Sequence, residues 1–211
     1  MPLTDPFEQY TDRYDEWFDR HPEAFESEVA ALQALRPEGA TGLEIGVGTG
    51  RFAERLGIDV GIDPARSVLP VAAGRGVSVV RGVAESLPVR DDSFGLALVV
   101  TTICFVDDVS ATLAEAARVI RPGGSVLLGY IDRESEVGKH YQDIQDENPF
   151  YRDATFLGTA ELIETLRAAG FRSPEARQTV FAMPDELAEP DPVREGYGDG
   201  SFVALRATLS A

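Results

Sequence analysis

The stretch Leu43-Glu44-Ile45-Gly46-Val47-Gly48-Thr49-Gly50 decides the fold of this 211-residue chain. An apolar run that contains one acid ends in three alternating glycines, and Arg51–Leu56 then continues with helical character. The pattern predicts a strand, a glycine turn and a helix. Glycine permits positive φ and close approach of a ligand, and the first turn of a helix presents unpaired N–H groups. The stretch therefore predicts a loop that cradles a ligand.

The spacing of the glycines argues against a dinucleotide ligand. The dinucleotide fingerprint G-x-G-x-x-G ends in a glycine that lets the helix pack closely on the strand. Here the third glycine, Gly50, comes one residue early, and Arg51 occupies the packing position. A glycine-rich turn without any ligand is the plainer alternative, because short motifs also arise by chance.

The charge balance excludes several classes of partner. The chain has 19 Lys and Arg against 36 Asp and Glu, a formal net charge of −17. Nucleic-acid binders gain most of their affinity by neutralising phosphates with basic side chains, so we expect no nucleic-acid partner. No apolar stretch is long enough to span a bilayer, and we expect no membrane association. The single Cys104 and a start, Met1–Asp5, without signal-peptide features predict a cytoplasmic location.

Strands and helices alternate after the glycine turn. Phe94–Val100 is continuously apolar, as in a central parallel strand covered on both faces. Alternating strands and helices predict a parallel sheet with right-handed crossovers. The further predicted strands are Asp59–Asp63, Val77–Arg81, Ser125–Ile131, Glu175–Phe181 and Phe202–Leu209.

Two amphipathic helices are predicted before the glycine turn. The first carries an aromatic face, and the second runs from Phe25 to Leu35 and stops before Pro37. The aromatic residues are either core packing or a lid over the mouth of the ligand site. They are Phe7, Tyr10, Tyr14, Trp17 and Phe18.

Residues 132–158 interrupt the alternation of strands and helices. Long excursions inside compact domains are usually functional or disordered. Because this segment follows a strand's carboxyl end, we expect it to overhang the ligand crevice as a substrate cap. A solvated loop or an oligomer contact, such as a homodimer interface, is the alternative. Asp107, Asp108 and Asp132 lack any His or Cys ligand spacing, and we expect no metal site.

Several stretches between Leu43 and Ile131 together resemble the class I S-adenosylmethionine-dependent methyltransferases. They are Glu44-Ile45-Gly46-x-Gly48-x-Gly50, Asp63 after the second strand, Ala84-Glu85 before Leu87-Pro88, and the turn Arg121-Pro122-Gly123-Gly124. The chain is similar to the small-molecule enzymes of ubiquinone and menaquinone biosynthesis. The resemblance implies an α/β fold with a Rossmann-like seven-stranded sheet, mostly parallel with an antiparallel C-terminal strand, and helices on both faces. It also implies one domain over residues 1–211 with a two-helix N-terminal lid over residues 1–36.

The resemblance implies S-adenosyl-L-methionine as the cofactor. Asp63 would accept hydrogen bonds from the ribose hydroxyls, and Glu85 would accept one from the adenine amino group. Tyr14 would close over the methionine end, with Thr101 and Phe105 near the amino group and the transferable methyl. The complete implied set is Tyr14, Glu44, Gly46, Gly48, Gly50, Asp63, Ala84, Glu85, Thr101 and Phe105.

The implied reaction is methyl transfer to a small-molecule acceptor. Holding donor and acceptor in line can supply roughly 7–11 kcal/mol, so no dedicated base is required. If the acceptor must lose a proton, His140, Tyr141 and His21 are the candidate bases. Two other functions stay open. One is a related transferase that uses decarboxylated S-adenosylmethionine, and the other is a cofactor-binding protein-interaction module without turnover.

Overall fold

A computed structural model describes residues 4–210 of the chain. Eight α-helices occupy this part of the sequence, with 3-10 turns at Gln145–Glu147 and Pro184–Glu186. Within it, no helix is long and apolar enough to cross a membrane. The helices are α1 (Asp5–Gln9), α2 (Thr11–Arg20), α3 (Pro22–Gln33), α4 (Arg51–Leu56), α5 (Leu69–Gly74), α6 (Val109–Val119), α7 (Glu136–Asp143) and α8 (Thr159–Ala168).

The strands form one sheet in the order β3-β2-β1-β4-β5-β8-β6-β7. The first five strands run parallel, and β8 lies antiparallel between β5 and β6. This arrangement confirms the predicted mostly parallel α/β sheet with an antiparallel C-terminal strand. The strands are β1 (Gly42–Ile45), β2 (Val60–Asp63), β3 (Ser78–Arg81), β4 (Phe94–Val100), β5 (Ile120–Ile131), β6 (Phe171–Thr179), β7 (Arg194–Glu195) and β8 (Phe202–Leu209).

The sheet has eight strands where seven were predicted. The additional strand, β7, is two residues long and pairs with β6 at the sheet edge. Strand β6 also begins four residues before the predicted Glu175, and its register shifts between Arg172 and Glu175. Ser173 has φ 51°, and Pro174 follows it, so a bulge accommodates a proline that cannot donate a ladder hydrogen bond.

Two apolar layers cover the sheet, one on each face. Successive side chains of a strand point to opposite faces. In β4, Ala97 and Val99 join the layer beneath α6 and α8, while Leu96, Leu98 and Val100 join the layer formed with α3 and α4. All five are buried, which explains why this strand reads as a continuous apolar run.

The N-terminal region contains three helices rather than the predicted two. The first predicted helix is broken at Tyr10, whose φ and ψ of −126° and 35° are not helical. The Thr11 hydroxyl donates to the Phe7 carbonyl oxygen across this break (2.6 Å). The connection after β2 does not enter a helix directly. A turn occupies residues 64–68, and α5 begins at Leu69.

Candidate functional site

The glycines of the turn between β1 and α4 have three different neighbours. All have positive φ: 74° at Gly46, 50° at Gly48 and 83° at Gly50. A Cβ atom at Gly46 would collide with the Thr102 side chain, and one at Gly50 would lie 3.0 Å from Ala72 of α5. Gly50 is therefore the glycine that permits helix packing, although it stands one residue earlier than in the dinucleotide fingerprint.

Gly48 differs from the other two because an aromatic ring covers it. A Cβ atom at Gly48 would lie 3.2 Å from the ring and hydroxyl of Tyr14 on α2. The Gly48 amide donates to Asp63 Oδ2 (2.9 Å), which links the turn to the end of β2. The backbone at Gly48 thus lies between a carboxylate and a phenol, with no room for a side chain.

Asp63 is a buried carboxylate with hydrogen-bonding capacity left over. Its Oδ1 accepts from the Ala65 amide (2.9 Å), so each oxygen holds one backbone N–H. Burial raises the pKa of this carboxyl group, and the two backbone bonds oppose the shift. A carboxylate offers about four acceptor positions, so two remain for a ligand.

A cavity lies beyond the carboxyl ends of β1, β2 and β4; we call it the inner cavity. This position is where open α/β sheets bind ligands. Glu85 lies on its wall and accepts from the Asp107 amide (2.8 Å). The walls include eight of the ten predicted cofactor residues, namely Tyr14, Gly46, Gly48, Asp63, Ala84, Glu85, Thr101 and Phe105.

The other two predicted residues, Glu44 and Gly50, do not line the inner cavity. Gly50 packs against α5, as described above. Glu44 is 1% exposed, and its Oε2 has no hydrogen-bond partner. Burial raises the pKa of this carboxyl group well above its ordinary value. Glu44 therefore lies beneath the cradle rather than in it.

A second and larger cavity opens beside the first; we call it the outer chamber. Residues of α2, α3 and the 132–158 segment line it, and it shares Phe7, Tyr14, Thr101 and Phe105 with the inner cavity. These four residues form the junction between the two cavities.

Aromatic rings from three parts of the chain pack against one another at the junction. The Phe7 ring centroid lies 5.4 Å from Tyr14, 5.2 Å from Phe105 and 5.6 Å from Phe150. Such edge-to-face pairs each add about 0.5–1.5 kcal/mol beyond burial. Among the N-terminal aromatic residues, Phe18 packs in the core, and Phe7 and Tyr14 line the inner cavity.

Thr101 directly follows β4 and has a strained backbone conformation. Its φ of 47° lies in the left-handed region that residues other than glycine seldom adopt, and its amide donates to the Gly129 carbonyl oxygen (2.7 Å). Local strain of this kind clusters at functional sites. Burial raises the pKa of the neighbouring Tyr14 phenol, which keeps it a neutral hydroxyl at the junction.

The predicted bases all line the outer chamber, in different environments. The Nδ1 atom of His21 lies 2.8 Å from the Trp17 carbonyl oxygen, and its Nε2 lies 2.7 Å from Asp185 Oδ1. Both ring nitrogens of His21 therefore have oxygen partners within the protein. His140 stands exposed at the rim. Burial raises the pKa of Tyr141 to about 12, so the phenolate form that could act as a base is scarce near neutral pH.

The outer chamber also contains a carboxyl group that sequence analysis missed. Glu28 lies on α3, is 4% exposed and lines the chamber wall. Burial raises the pKa of this carboxyl group to about 8. The sequence contains a signal for it, because Glu28 falls on the apolar face marked by Phe25, Val29 and Leu32.

Ion pairs hold α2 against the glycine turn. Arg51 donates to Asp15 (2.8 Å) and to Asp19 (2.7 Å), and Arg75 donates to Asp15 (2.8 Å) and to the Thr49 carbonyl oxygen (2.6 Å). Burial raises the pKa of Asp15, but the bonds from Arg51 and Arg75 outweigh it and hold this pKa below its ordinary range. Arg51, at the position of the last glycine in the dinucleotide fingerprint, thus anchors the helix that carries Tyr14.

The remaining reactive side chains have structural roles. Burial raises the pKa of the Cys104 thiol to about 12, which disfavours the thiolate form. Asp132 accepts from the Thr159 and Glu134 amides, and Asp108 caps α6. Over residues 4–210, no three His, Cys, Asp or Glu side chains are grouped to hold a metal ion.

The inner cavity fits the predicted cofactor. Asp63 retains acceptor positions, Glu85 adds a second carboxylate, and the Gly48 backbone permits contact that a Cβ would block. The walls are otherwise largely apolar, and no arginine or lysine lines them, as suits a ligand without phosphate groups. The outer chamber shares four lining residues with the inner cavity, so a second small molecule bound there would lie next to the cofactor.

Comparison with known proteins agrees with this description. A family model for a methyltransferase domain matches residues 43–128. A demethylmenaquinone methyltransferase of Roseiflexus castenholzii is 30% identical over 172 residues, covering 74% of this chain and 67% of that protein. An uncharacterized protein of Methanocaldococcus jannaschii is 40% identical over 201 residues, covering 95% of this chain and 97% of its own length.

A solved structure from Thermotoga maritima has the same fold. It superimposes with a TM-score of 0.95 at 46% sequence identity, covering 97% of this chain and 98% of the other. That protein is described as a SAM-dependent methyltransferase, possible histamine N-methyltransferase.

Proposed function

Because this chain belongs to the S-adenosylmethionine-dependent methyltransferases, we propose that it methylates a small-molecule acceptor bound in the outer chamber. The observation that carries the proposal is the junction of the two cavities at Phe7, Tyr14, Thr101 and Phe105. The cofactor supplies a methyl group on a positively charged sulfur, which is already reactive. Orientation of the acceptor is then the main task of the protein.

The residues of the inner cavity divide the binding of the cofactor between them. We assign the ribose hydroxyls to the free acceptor positions of Asp63 and the adenine amino group to Glu85. The Gly46 and Gly48 backbone would face the methionine part, and the Tyr14 hydroxyl would donate to its carboxylate. Glu44 and Gly50 support this site from behind, since neither reaches the cavity wall.

The aromatic residues at the junction exclude water from the reacting atoms. Phe7, Tyr14 and Phe150 bring α1, α2 and the 132–158 segment into contact. We propose that α1 and α2 act as a lid and that the 132–158 segment is the substrate cap. Closure of such elements sequesters a reaction from solvent.

A nitrogen atom is the acceptor that the comparisons support. The Thermotoga protein, 46% identical over nearly the whole chain, is described as a possible histamine N-methyltransferase. An outer chamber lined with aromatic rings suits a small amine of this kind. Two residues of the chamber wall stay candidate bases, namely His140 and Tyr141.

Incubation with S-adenosylmethionine labelled on the methyl group, together with an extract of small metabolites, tests this function. We expect label in a small molecule and release of S-adenosylhomocysteine. Transfer of the aminopropyl group from the decarboxylated cofactor would favour the related transferase. Cofactor binding without turnover on any small molecule would favour the protein-interaction module.

A further inference from the structure

Glu28 is a carboxyl group in a position that suits an apolar side chain. Its neighbours on the same face of α3, Phe25, Val29 and Leu32, are all buried in the core. Among residues 4–210, no side chain or backbone group pairs with the Glu28 carboxyl by a hydrogen bond or salt bridge. Leaving a buried polar group unpaired destabilises a protein, and a charged group more so. A binding role in the chamber accounts for its presence.

The walls around Glu28 are rich in aromatic rings. Trp17 and Phe150 line the chamber, and Tyr141 stacks on Tyr151 with ring centroids 4.6 Å apart. Aromatic faces attract cations, and a carboxylate accepts strong hydrogen bonds from an ammonium group. An acid surrounded by rings therefore prefers a protonated amine to an anion or a neutral alcohol.

The other charged groups of the chamber do not reverse this preference. The phenols Tyr14, Tyr141 and Tyr151 are neutral, because burial raises the pKa of each. Arg13 and Arg20 also line the chamber but are exposed at its rim. Exposed charges are screened over about 8 Å at physiological salt, whereas buried ones are screened much less. Glu28 is therefore the acid that an amine meets in the buried part of the chamber.

We propose that Glu28 binds the protonated amino group of a small apolar or aromatic amine and accepts one of its protons. In this step an N–H bond breaks, its electron pair stays on nitrogen, and an O–H bond forms on the carboxylate. An ammonium and a carboxylate become a neutral amine and a neutral acid, and burial favours the neutral acid. The nitrogen lone pair is then free for methylation, so this inference rests on the proposed function.

Calorimetric titration of the protein saturated with S-adenosylhomocysteine, and of the protein alone, tests the amine site. The probes are 2-phenylethylamine and histamine, with 2-phenylethanol as the neutral match. We expect the wild type to prefer the amine to the alcohol. Glu28→Gln should weaken amine binding by about 10–100-fold, the range for a hydrogen bond to a charged group. Binding of the alcohol and of S-adenosylhomocysteine should not change.

Glu23→Gln is the matched control, because Glu23 lies on the same helix outside both cavities. It should bind the amine like the wild type. Glu28→Met, which conserves volume, replaces the glutamine variant if the latter fails to fold. Turnover gives a second readout, since a raised KM and a lowered kcat for the amine are both expected in Glu28→Gln.

Equal affinity for the amine in wild type and Glu28→Gln would overturn the amine site, as would a wild type that binds the alcohol as tightly. The proposed function fails in a different way. Glu28-dependent amine binding without methyl transfer would retain the amine site and contradict methylation. Methyl transfer that Glu28→Gln leaves unchanged would do the reverse.

Discussion

Asp63 connects the backbone of the glycine turn to the inner cavity. Its two oxygens already hold the Gly48 and Ala65 amides. We predict that Asp63→Asn weakens binding of S-adenosylhomocysteine by about 1.5–3 kcal/mol, because the amide nitrogen cannot accept from a ribose hydroxyl. Calorimetry measures the affinity, and thermal unfolding shows whether the fold is retained. A folded Asp63→Asn protein with wild-type affinity would leave this carboxylate a purely structural role.

Glu28 also predicts a pH dependence of stability. The pKa of Glu28 is raised to about 8 in the folded protein, from about 4.5 when unfolded. Between these pH values the folded state binds more protons than the unfolded state. The contribution of Glu28 to the free energy of unfolding therefore falls as pH rises, by up to about 1.4 kcal/mol per pH unit. Glu28→Gln removes this contribution and should gain stability relative to the wild type from pH 5 to pH 8.

Urea unfolding of both proteins at four pH values measures the difference. Glu44 and Asp63, whose pKa values burial also raises, are present in both proteins, so their contributions cancel. Glu23→Gln should show no such trend. A stability difference between Glu28→Gln and wild type that does not change with pH would contradict burial of an unpaired acid.

Individual residues of the site were predictable when a motif or a helical period marked them. Asp63 and Gly48 belong to a motif, and an acid on the apolar face of α3 was visible in the sequence but was not recognised. Phe150 was placed in the substrate cap, but the 132–158 segment has no period that shows which face a residue takes. Its contact with Phe7 depends on tertiary packing.

At the scale of elements, the turn between β1 and α4 requires glycine for two reasons at Gly48. Its φ is positive, and Tyr14 lies against it. We predict that Gly48→Val abolishes binding of S-adenosylhomocysteine in calorimetry. Gly39→Val is the matched control, because Gly39 has φ 67° but open space around it. That control should lose stability through backbone strain and keep its affinity. Similar affinity losses in both would assign the effect to strain alone.

The contact between α2 and the glycine turn depends on Asp15, which accepts from Arg51 and Arg75. The three side chains are about one-fifth exposed, so solvent screens them only partly. We predict that Asp15→Asn speeds hydrogen exchange in Phe7–Phe18 and weakens S-adenosylhomocysteine binding by about 1.5–3 kcal/mol. The control Asp12→Asn alters an exposed residue of the same helix.

Addition of S-adenosylhomocysteine should slow exchange over the same segment in the wild type. Exchange that ignores both the ligand and the Asp15→Asn change would show that α1 and α2 are static core helices.

Element types were more predictable than element ends. A continuous apolar run indicated β4, and a helical apolar period indicated α3. A glycine turn marked the start of α4. The break at Tyr10 has no glycine or proline, and a two-residue strand such as β7 has no period to detect. The turn after Pro64 is held by Asp63 and Glu8, which accept from the Ala65 and Arg66 amides. The partner Glu8 comes from a distant part of the chain.

At the scale of the whole molecule, the sheet brings the two cavities together. The carboxyl ends of β1, β2 and β4 provide the inner cavity, while α2, α3 and the 132–158 segment wall the outer chamber. Motifs predicted the first of these well, because its residues follow strands directly. The second was predicted only as an overhanging segment, since its walls come from regions far apart in sequence.

The proposed methyl transfer requires that donor and acceptor meet at the junction of the two cavities. Four residues form this junction: Phe7, Tyr14, Thr101 and Phe105. A crystal structure of the protein with S-adenosylhomocysteine tests this most directly. We expect adenosine in the inner cavity, with its ribose hydroxyls hydrogen-bonded to Asp63. The sulfur atom should lie at the junction and face the outer chamber. A sulfur atom turned away from the outer chamber, or a ligand bound elsewhere, would contradict it.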